Sequence, residues 1–328
     1  MANNNFTVKF WGVRGSYPTP GPQTMHYGGN TACVEVRAGG HTIILDAGTG
    51  IIPLGRELTT RGRQTGQPVR ALILFSHLHH DHTQGFPFFV PAYNPGTRLY
   101  IYGPGASEQA LEEQLARNQT PPAFPITLRD MHAAREIRAI GELDSIVLDE
   151  NGLRLTRAGG STPPEAVLIR LMKSYSHPGG VYFYRIEWRG HSLVYATDTE
   201  GYVGTDRRLA AFAHGADLLI HDAQYSPEHY RGLNGWASTQ GFGHSTPQMA
   251  CEAALAAGVQ RLALFHHDPN YDDETVHDLE EQAQAIFKPT FSAREGLELT
   301  LAVEQAAVLV GEKHRAEVLG QQVGRLVD

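Results

Sequence analysis

The chain has 328 residues, 41% of them hydrophobic, and 27 Lys and Arg stand against 35 Asp and Glu for a formal net charge of −8. That balance excludes a broadly basic nucleic-acid binder, and no run approaches the roughly 18 consecutive apolar residues of a membrane-spanning helix. Cys33 and Cys251 form neither a CxxC pair nor a disulfide framework, and the opening MANNNFTVKF has no basic stretch followed by an apolar run, so a cytoplasmic protein, neither secreted nor membrane-inserted, is expected.

β-Rich runs bounded by Gly, Pro and Asn predict strands at Phe6–Trp11, Ala32–Arg37, His41–Leu45, Ala71–Phe75 and Arg98–Tyr102. Several are uninterrupted apolar runs, which suits strands buried on both faces. Ser107–Arg117 reads as a helix. From Thr120 a proline-rich entry, TPPAFP, leads into mixed strand and helix signals, so residues 120–165 are the candidate for an inserted or capping segment. Strands follow at Val167–Leu171, Val181–Glu187, Ser192–Ala196, Asp217–Ile220 and Arg261–Phe265. Helices are predicted at Asp206–Ala213, at Thr246–Gly258 with Pro247 in its first turn, and at Asp273–Phe287 before Pro289. Two rounds of strands and helices predict an α/β chain whose two β-rich halves stack face to face with helices outside. That unit would span residues 1–302, with a Gln/Ala/Val/Glu-rich tail at 303–328.

Ser76-His77-Leu78-His79-His80-Asp81-His82 directly follows the apolar run ALILF. Imidazole and carboxylate suit zinc and similar ions. In a tight loop leaving a strand, His77 and His79 can converge on one ion while Asp81 and His82 turn toward a second. His80, at the variable position, is left out of the ligand set.

This HxHxDH pattern resembles the metallo-β-lactamase superfamily, whose fold is a four-layer αββα sandwich, and the resemblance extends over about residues 5 to 302. It implies that Asp46 in LDAGTG orients ligands rather than binding metal, that His177 in SHPGG is the isolated third histidine, and that Asp198 in ATDT bridges two metals. His266, closing LALFH, takes the last ligand position in preference to His267. One ion would then be held by His77, His79, His177 and Asp198, and the other by Asp81, His82, Asp198 and His266. The cofactors implied are two divalent ions, zinc first, with manganese or iron as alternatives.

Asp222 in LIHDA and His244 in GHST resemble the acid and histidine of the tRNase Z and cyclic phosphodiesterase branch. A carboxylate holding a non-ligand histidine raises its pKa and makes it a general acid, which the departing alkoxide of a phosphodiester needs. The implied catalytic residues are His244, Asp222 and Asp81. The opening FWGVRGSYP followed by YGGNT resembles phosphoribosyl cyclic phosphodiesterases, whereas the long basic arm of tRNase Z is not recognisable and His266 precedes His-Asp-Pro. The expectation is a dinuclear metal-dependent phosphodiesterase for a small cyclic phosphodiester, with hydroxide as nucleophile. The partner expected is the small phosphodiester substrate rather than extended nucleic acid; no membrane is expected, and a homodimer is allowed. A tRNase Z-like ribonuclease, a lactonase or β-lactamase-like hydrolase and a non-catalytic metal-binding module are the alternatives. Phe86-Pro87-Phe88-Phe89 is equally open to lining a pocket or packing in a core.

Overall fold

The computed structural model describes residues 5–160, 162–201 and 204–302, so the expected tail at 303–328 lies outside the described residues. Among these residues the strands form two sheets. The first runs, edge to edge, β15 (Glu298–Ala302), β1 (Phe6–Gly12), β2 (Cys33–Ala38), β3 (His41–Leu45), β4 (Arg70–Leu74), β5 (Arg98–Gly103) and β6 (Ala134–Ala139). The second runs β14 (Thr290–Ser292), β13 (Leu262–Phe265), β12 (Leu218–Asp222), β11 (His191–Ala196), β10 (Val181–Trp188), β9 (Val167–Ser174), β7 (Asp144–Asp149) and β8 (Gly152–Arg157). The helices are α1 (Ile51–Thr65), α2 (His80–Thr83), α3 (Glu108–Arg117), α4 (Arg207–Phe212), α5 (Pro227–Arg231), α6 (Pro247–Ala257) and α7 (Asp273–Ile286). None of them is long and apolar enough to cross a membrane.

Alternation along the strands dictates the layering, because successive side chains leave a strand on opposite faces. Ile43 and Leu45 of β3 and Leu72 and Leu74 of β4 join Phe10, Tyr184, Ile220 and Phe265 in a core between the sheets. The intervening Ile44 and Ile73 instead pack with Leu54 and Leu58 of α1 and Leu111 and Leu115 of α3. On the other side, Val194, Leu219 and Leu264 turn outward onto Ala250 and Ala254 of α6 and Ala283 of α7. The order is therefore helix, sheet, sheet, helix, the αββα sandwich expected from the sequence.

Two local outcomes differ from the sequence reading. α1 carries no strong signal because Pro53, Gly55 and Gly62 depress its helix propensity. Pro53 sits in the first turn, where its missing N–H has no intrahelical role, and at Gly55 an added Cβ would lie 2.8 Å from the Phe89 ring. The segment 120–165, expected as an inserted or capping piece, supplies strands to both sheets: β6 pairs with β5, and the β7–β8 hairpin joins the second sheet through β9.

β3 and β4 run parallel, as do β11, β12 and β13. Loops leaving the C-terminal ends of such strands gather at one edge, the usual place for a ligand in an open α/β sheet. Asp46, Asp198 and His266 stand at these ends with φ of 62°, 52° and 65°. The left-handed backbone costs such residues about 1 to 3 kcal/mol each and turns their side chains sharply off the strands.

The loop between β1 and β2 frames this edge and is clamped by Arg14, a wholly buried side chain. Its Nε donates to Gly28 O at 2.8 Å, and its Nη1 donates to Asp268 O at 3.0 Å and Tyr271 O at 2.7 Å. Arg14→Met keeps the apolar bulk but leaves these carbonyls unpaired, and is expected to lower stability by about 3 kcal/mol, read from the urea midpoint. A midpoint equal to that of the natural chain would rule the clamp out.

Candidate metal centre

The stretch after β4 changes backbone conformation within a few residues. His79 is extended (φ −64°, ψ 158°) at the entry to α2, which then adds a single helical turn. His77 and His79 leave an extended chain, whereas Asp81 and His82 leave the turn. The structure gathers these side chains into two groups whose donor atoms lie within 4.8 Å of one another: His77, His79 and His177, and Asp81, His82, Asp198 and His266.

Asp198 lies between the groups. Its Oδ1 is 3.2 Å from His82 Nε2 and 3.4 Å from His266 Nε2, and its Oδ2 is 3.6 Å from His77 Nε2 and 3.8 Å from His177 Nε2. In the second group Asp81 Oδ2 is 3.1 Å from His266 Nε2 and 3.4 Å from His82 Nε2, and the two imidazole Nε2 atoms are 3.3 Å apart. Donors about 2.0 to 2.1 Å from a tetrahedral ion stand roughly 3.3 Å from one another, so the spacing fits a zinc-sized cation.

The opposite ring nitrogens are committed elsewhere, which fixes the tautomers. His82 Nδ1 donates to Asp46 Oδ2 at 2.8 Å, His177 Nδ1 to Gly243 O at 3.0 Å, and His266 Nδ1 to Gln224 Oε1 at 3.0 Å. Ser76 Oγ lies 2.8 Å from Asp46 Oδ2 and 3.0 Å from His77 Nδ1, so the hydroxyl donates to the carboxylate and accepts from the ring. His77 Nε2 is then a buried lone pair with no hydrogen-bond partner. An orphan acceptor facing a carboxylate is what a metal ligand looks like before its ion is counted.

Electrostatics divide the rings: burial lowers the His82 pKa, but Asp198, Asp81 and Asp46 outweigh it and hold that ring well above the ordinary imidazole value. Burial foremost holds His77, His79 and His177 below the ordinary imidazole pKa, which favours the neutral rings a cation requires. Burial pushes the Asp198 and Asp81 carboxyls up, but the facing histidines, chiefly His266 and His82 for Asp198 and His82 and His266 for Asp81, outweigh it and hold both well below the usual carboxylate range.

His244 stands beside this cluster, its ring 4.9 Å from that of His177 and stacked 5.0 Å from that of His266. Its Nδ1 donates to Asp222 Oδ2 at 2.7 Å, while Asp222 Oδ1 accepts from Ser245 N at 2.7 Å and Gln224 N at 3.2 Å. Burial pulls the His244 pKa down, but the Asp222 carboxylate dominates and raises it to about 9. The ring is a protonated donor near neutral pH.

His80 is exposed, and His267 turns away to Ala293 O at 3.0 Å; neither joins the groups. Phe86 and Phe89 are core residues and Phe88 is exposed, so the aromatic run is divided between packing and surface. Sequence reasoning missed Gln224 and Glu200. The Glu200 carboxylate accepts from Gly241 N at 2.8 Å and Gly243 N at 3.0 Å, holding the loop that carries His244. Glycines were the available signal: a Cβ on Gly243 would lie 2.4 Å from His177 Nδ1, and one on Gly15 would lie 2.5 Å from the His266 ring. Ser16 N, next to Gly15, donates to Asp81 Oδ2 at 2.8 Å, which accounts for the GVRGS stretch near the N-terminus.

A family model, Beta-lactamase superfamily domain, matches residues 41–267. The chain is 27% identical over 334 aligned positions to a protein named ribonuclease Z from Gemmatimonas aurantiaca, covering 91% of this chain and 96% of that one. In structure it resembles the metallo-beta-lactamase fold protein YhfI from Bacillus subtilis, with 19% identity and a TM-score of 0.61 over 90% of this chain and 99% of that one. Human tRNase Z, short form, gives 17% identity and a TM-score of 0.57 over 90% and 100%.

Chelation of the purified protein is expected to lower its melting temperature by several degrees, because an ion at 100 times its Kd stabilises the folded state by about 2.7 kcal/mol. Added zinc should restore it. A melting temperature indifferent to both treatments would refute a metal centre.

Proposed function

We propose that this chain, which belongs to the beta-lactamase superfamily, is a metal-dependent phosphodiesterase that cleaves RNA. The observation carrying this reading is the pairing of two candidate ligand groups about Asp198 with a histidine, His244, hydrogen-bonded to Asp222 beside them. The earlier exclusion of extended nucleic acid is corrected by the comparisons: a relative matched over 91% of this chain is named ribonuclease Z. The exclusion rested on net charge, which sums the whole surface, whereas a scissile phosphate meets only the local field of the site. The named relatives support an RNA substrate at least as well as the small cyclic phosphodiester suggested by the FWGVRGSYP stretch.

His77, His79, His177 and Asp198 would hold one divalent ion, and Asp81, His82, Asp198 and His266 a second. The nitrogen and oxygen donors fit zinc, with manganese or iron as alternatives. When bound, such ions supply positive charge at phosphoryl oxygens and bring the pKa of water toward neutrality. Asp46, Ser76, Gly243 and Gln224 keep the ligand rings aimed by engaging their other nitrogens. His244 holds a proton for the departing oxygen, and Asp222 both orients the ring and keeps it charged. A reducing cytoplasm suits the buried free thiols of Cys33 and Cys251.

Elemental analysis is expected to find two divalent ions per chain. His244→Ala should retain them, yet slow cleavage of an RNA diester by about 10² to 10⁴ while slowing bis(p-nitrophenyl) phosphate, whose leaving group needs no proton, far less. Equal losses on both substrates would sink the general-acid role. For the substrate itself, zinc- or manganese-loaded protein is expected to cut a precursor tRNA in a gel assay. Turnover of cyclic phosphodiesters without RNA cleavage would move the reading to the small substrate, and activity confined to carboxyl esters would overturn a phosphodiesterase altogether.

A further inference from the structure

We propose that the exposed aromatic rings around the metal centre, Tyr17, Tyr175, Trp236 and Phe242, are stacking platforms for unpaired bases of the RNA strand; this rests on the RNA reading above. Five Phe, Tyr or Trp side chains are exposed among the described residues, these four and Phe88, which packs edge-on against Phe124 at 5.4 Å. Leu155, Leu255 and Ile286, among the exposed aliphatic side chains, instead lie on β8, α6 and α7, which carry no ligand.

Contacts tie each ring to the site. Tyr17 follows Ser16, whose N–H donates to the candidate ligand Asp81, and its own hydroxyl reaches Asn270 Oδ1 at 3.4 Å, four residues beyond His266. Tyr175 leaves β9 two residues before His177, and the Lys173 ammonium stands 4.9 Å from its ring centre. Phe242 directly precedes Gly243, whose carbonyl accepts from His177 Nδ1, and stands two residues before His244. Trp236 is reached from His244 through rings in contact: Tyr225 at 5.8 Å from His244, His229 at 4.8 Å from Tyr225, and the indole stacked 4.0 Å from His229. His229 is pinned in turn by Tyr271 OH, 2.9 Å from its Nδ1. One face of the indole is thus backed while the side chain remains 40% exposed, which makes a rigid platform.

The local field of the site acts on the scissile phosphate, but a surface of net charge −8 offers little counterion release to the phosphates on either side. Stacking needs no cations. Every base has a π face, so aromatic rings hold a strand without reading its sequence, provided its bases are unpaired. Lys173 beside Tyr175 adds one positive charge for a neighbouring phosphate. A lipid surface or a protein partner calls for one contiguous apolar patch, whereas these rings stand on three separate loops about one cluster of ligands.

The test titrates the zinc-loaded full chain with a fluorescein-labelled adenylate octamer and with an abasic octamer of the same backbone, Kd being read by anisotropy and strand integrity checked on a gel. Trp236→Ala and Phe242→Ala are each expected to raise Kd for the octamer about tenfold, with Trp236→Phe restoring most of the loss and Leu155→Ala leaving it unchanged. On the abasic strand, which should bind more weakly to begin with, the same alanine variants are expected to shift Kd by no more than about twofold. Unchanged Kd in both alanine variants, or equal losses on the two strands, would overturn the platforms, and precursor RNA still cut by the same protein would leave the ribonuclease reading standing. Trp236-dependent binding of the octamer by a chain that cuts no RNA would do the reverse. Trp236-dependent binding to phosphatidylcholine vesicles in place of the octamer would also overturn a base-stacking role.

Discussion

Asp46, wholly buried at the end of β3, accepts hydrogen bonds from Ser76 N, Ser76 Oγ, His82 Nδ1 and Tyr195 OH, all at 2.7 to 2.8 Å. Ser76 and His82 follow β4 in the first sheet, and Tyr195 comes from β11 in the second. One carboxylate therefore joins the sheets beside the candidate metal-binding cluster. Two further bonds cross at the same level, from Tyr184 OH to Phe75 O at 2.6 Å and from Tyr182 N to Ser76 O at 2.8 Å. Burial first, then the Asp46 charge, keeps the Tyr195 phenol protonated, so it remains a donor over the working pH range. A buried carboxylate is tolerable only when so fully engaged.

The rest of the site elaborates this constraint. Each ligand ring is aimed by a partner from a different part of the chain: Ser76 for His77, Asp46 for His82, Gly243 for His177 and Gln224 for His266. No one of these partners is informative alone. Together they leave one nitrogen of each ring facing a common space, where a bound ion would meet rings already aimed.

The ligand loop was legible because its residues are consecutive and follow an apolar run, so pattern and chemistry coincide. The sandwich was legible for a similar reason: the β-rich runs and three of the longer helices carry local signals, among them Ser107 and Thr246 as side-chain caps and Gly258 in the left-handed conformation past its helix. What escaped is non-local. Gln224 and Glu200 are single polar residues whose partners lie 42 or so positions away, and nothing beside them marks that pairing. α1 was hidden by Pro53, Gly55 and Gly62, which serve packing rather than propensity. The exclusion of extended nucleic acid failed for the opposite reason, since it let a global sum stand for a local field.

The crossing bonds at Asp46 also make the apolar layer a gauge. His77, Asp81 and His82 hang from one sheet and His177, Asp198 and His266 from the other, so the thickness of the packing between them sets how far apart the two sets of side chains stand. Protein interiors are packed densely enough that one methylene alters local spacing. Leu74 and Ile220 belong to that layer, so a change of volume at either would alter the spacing of these side chains without replacing any of them. The spacing available to a bound ion would thus depend on apolar residues as well as on the histidines and aspartates themselves.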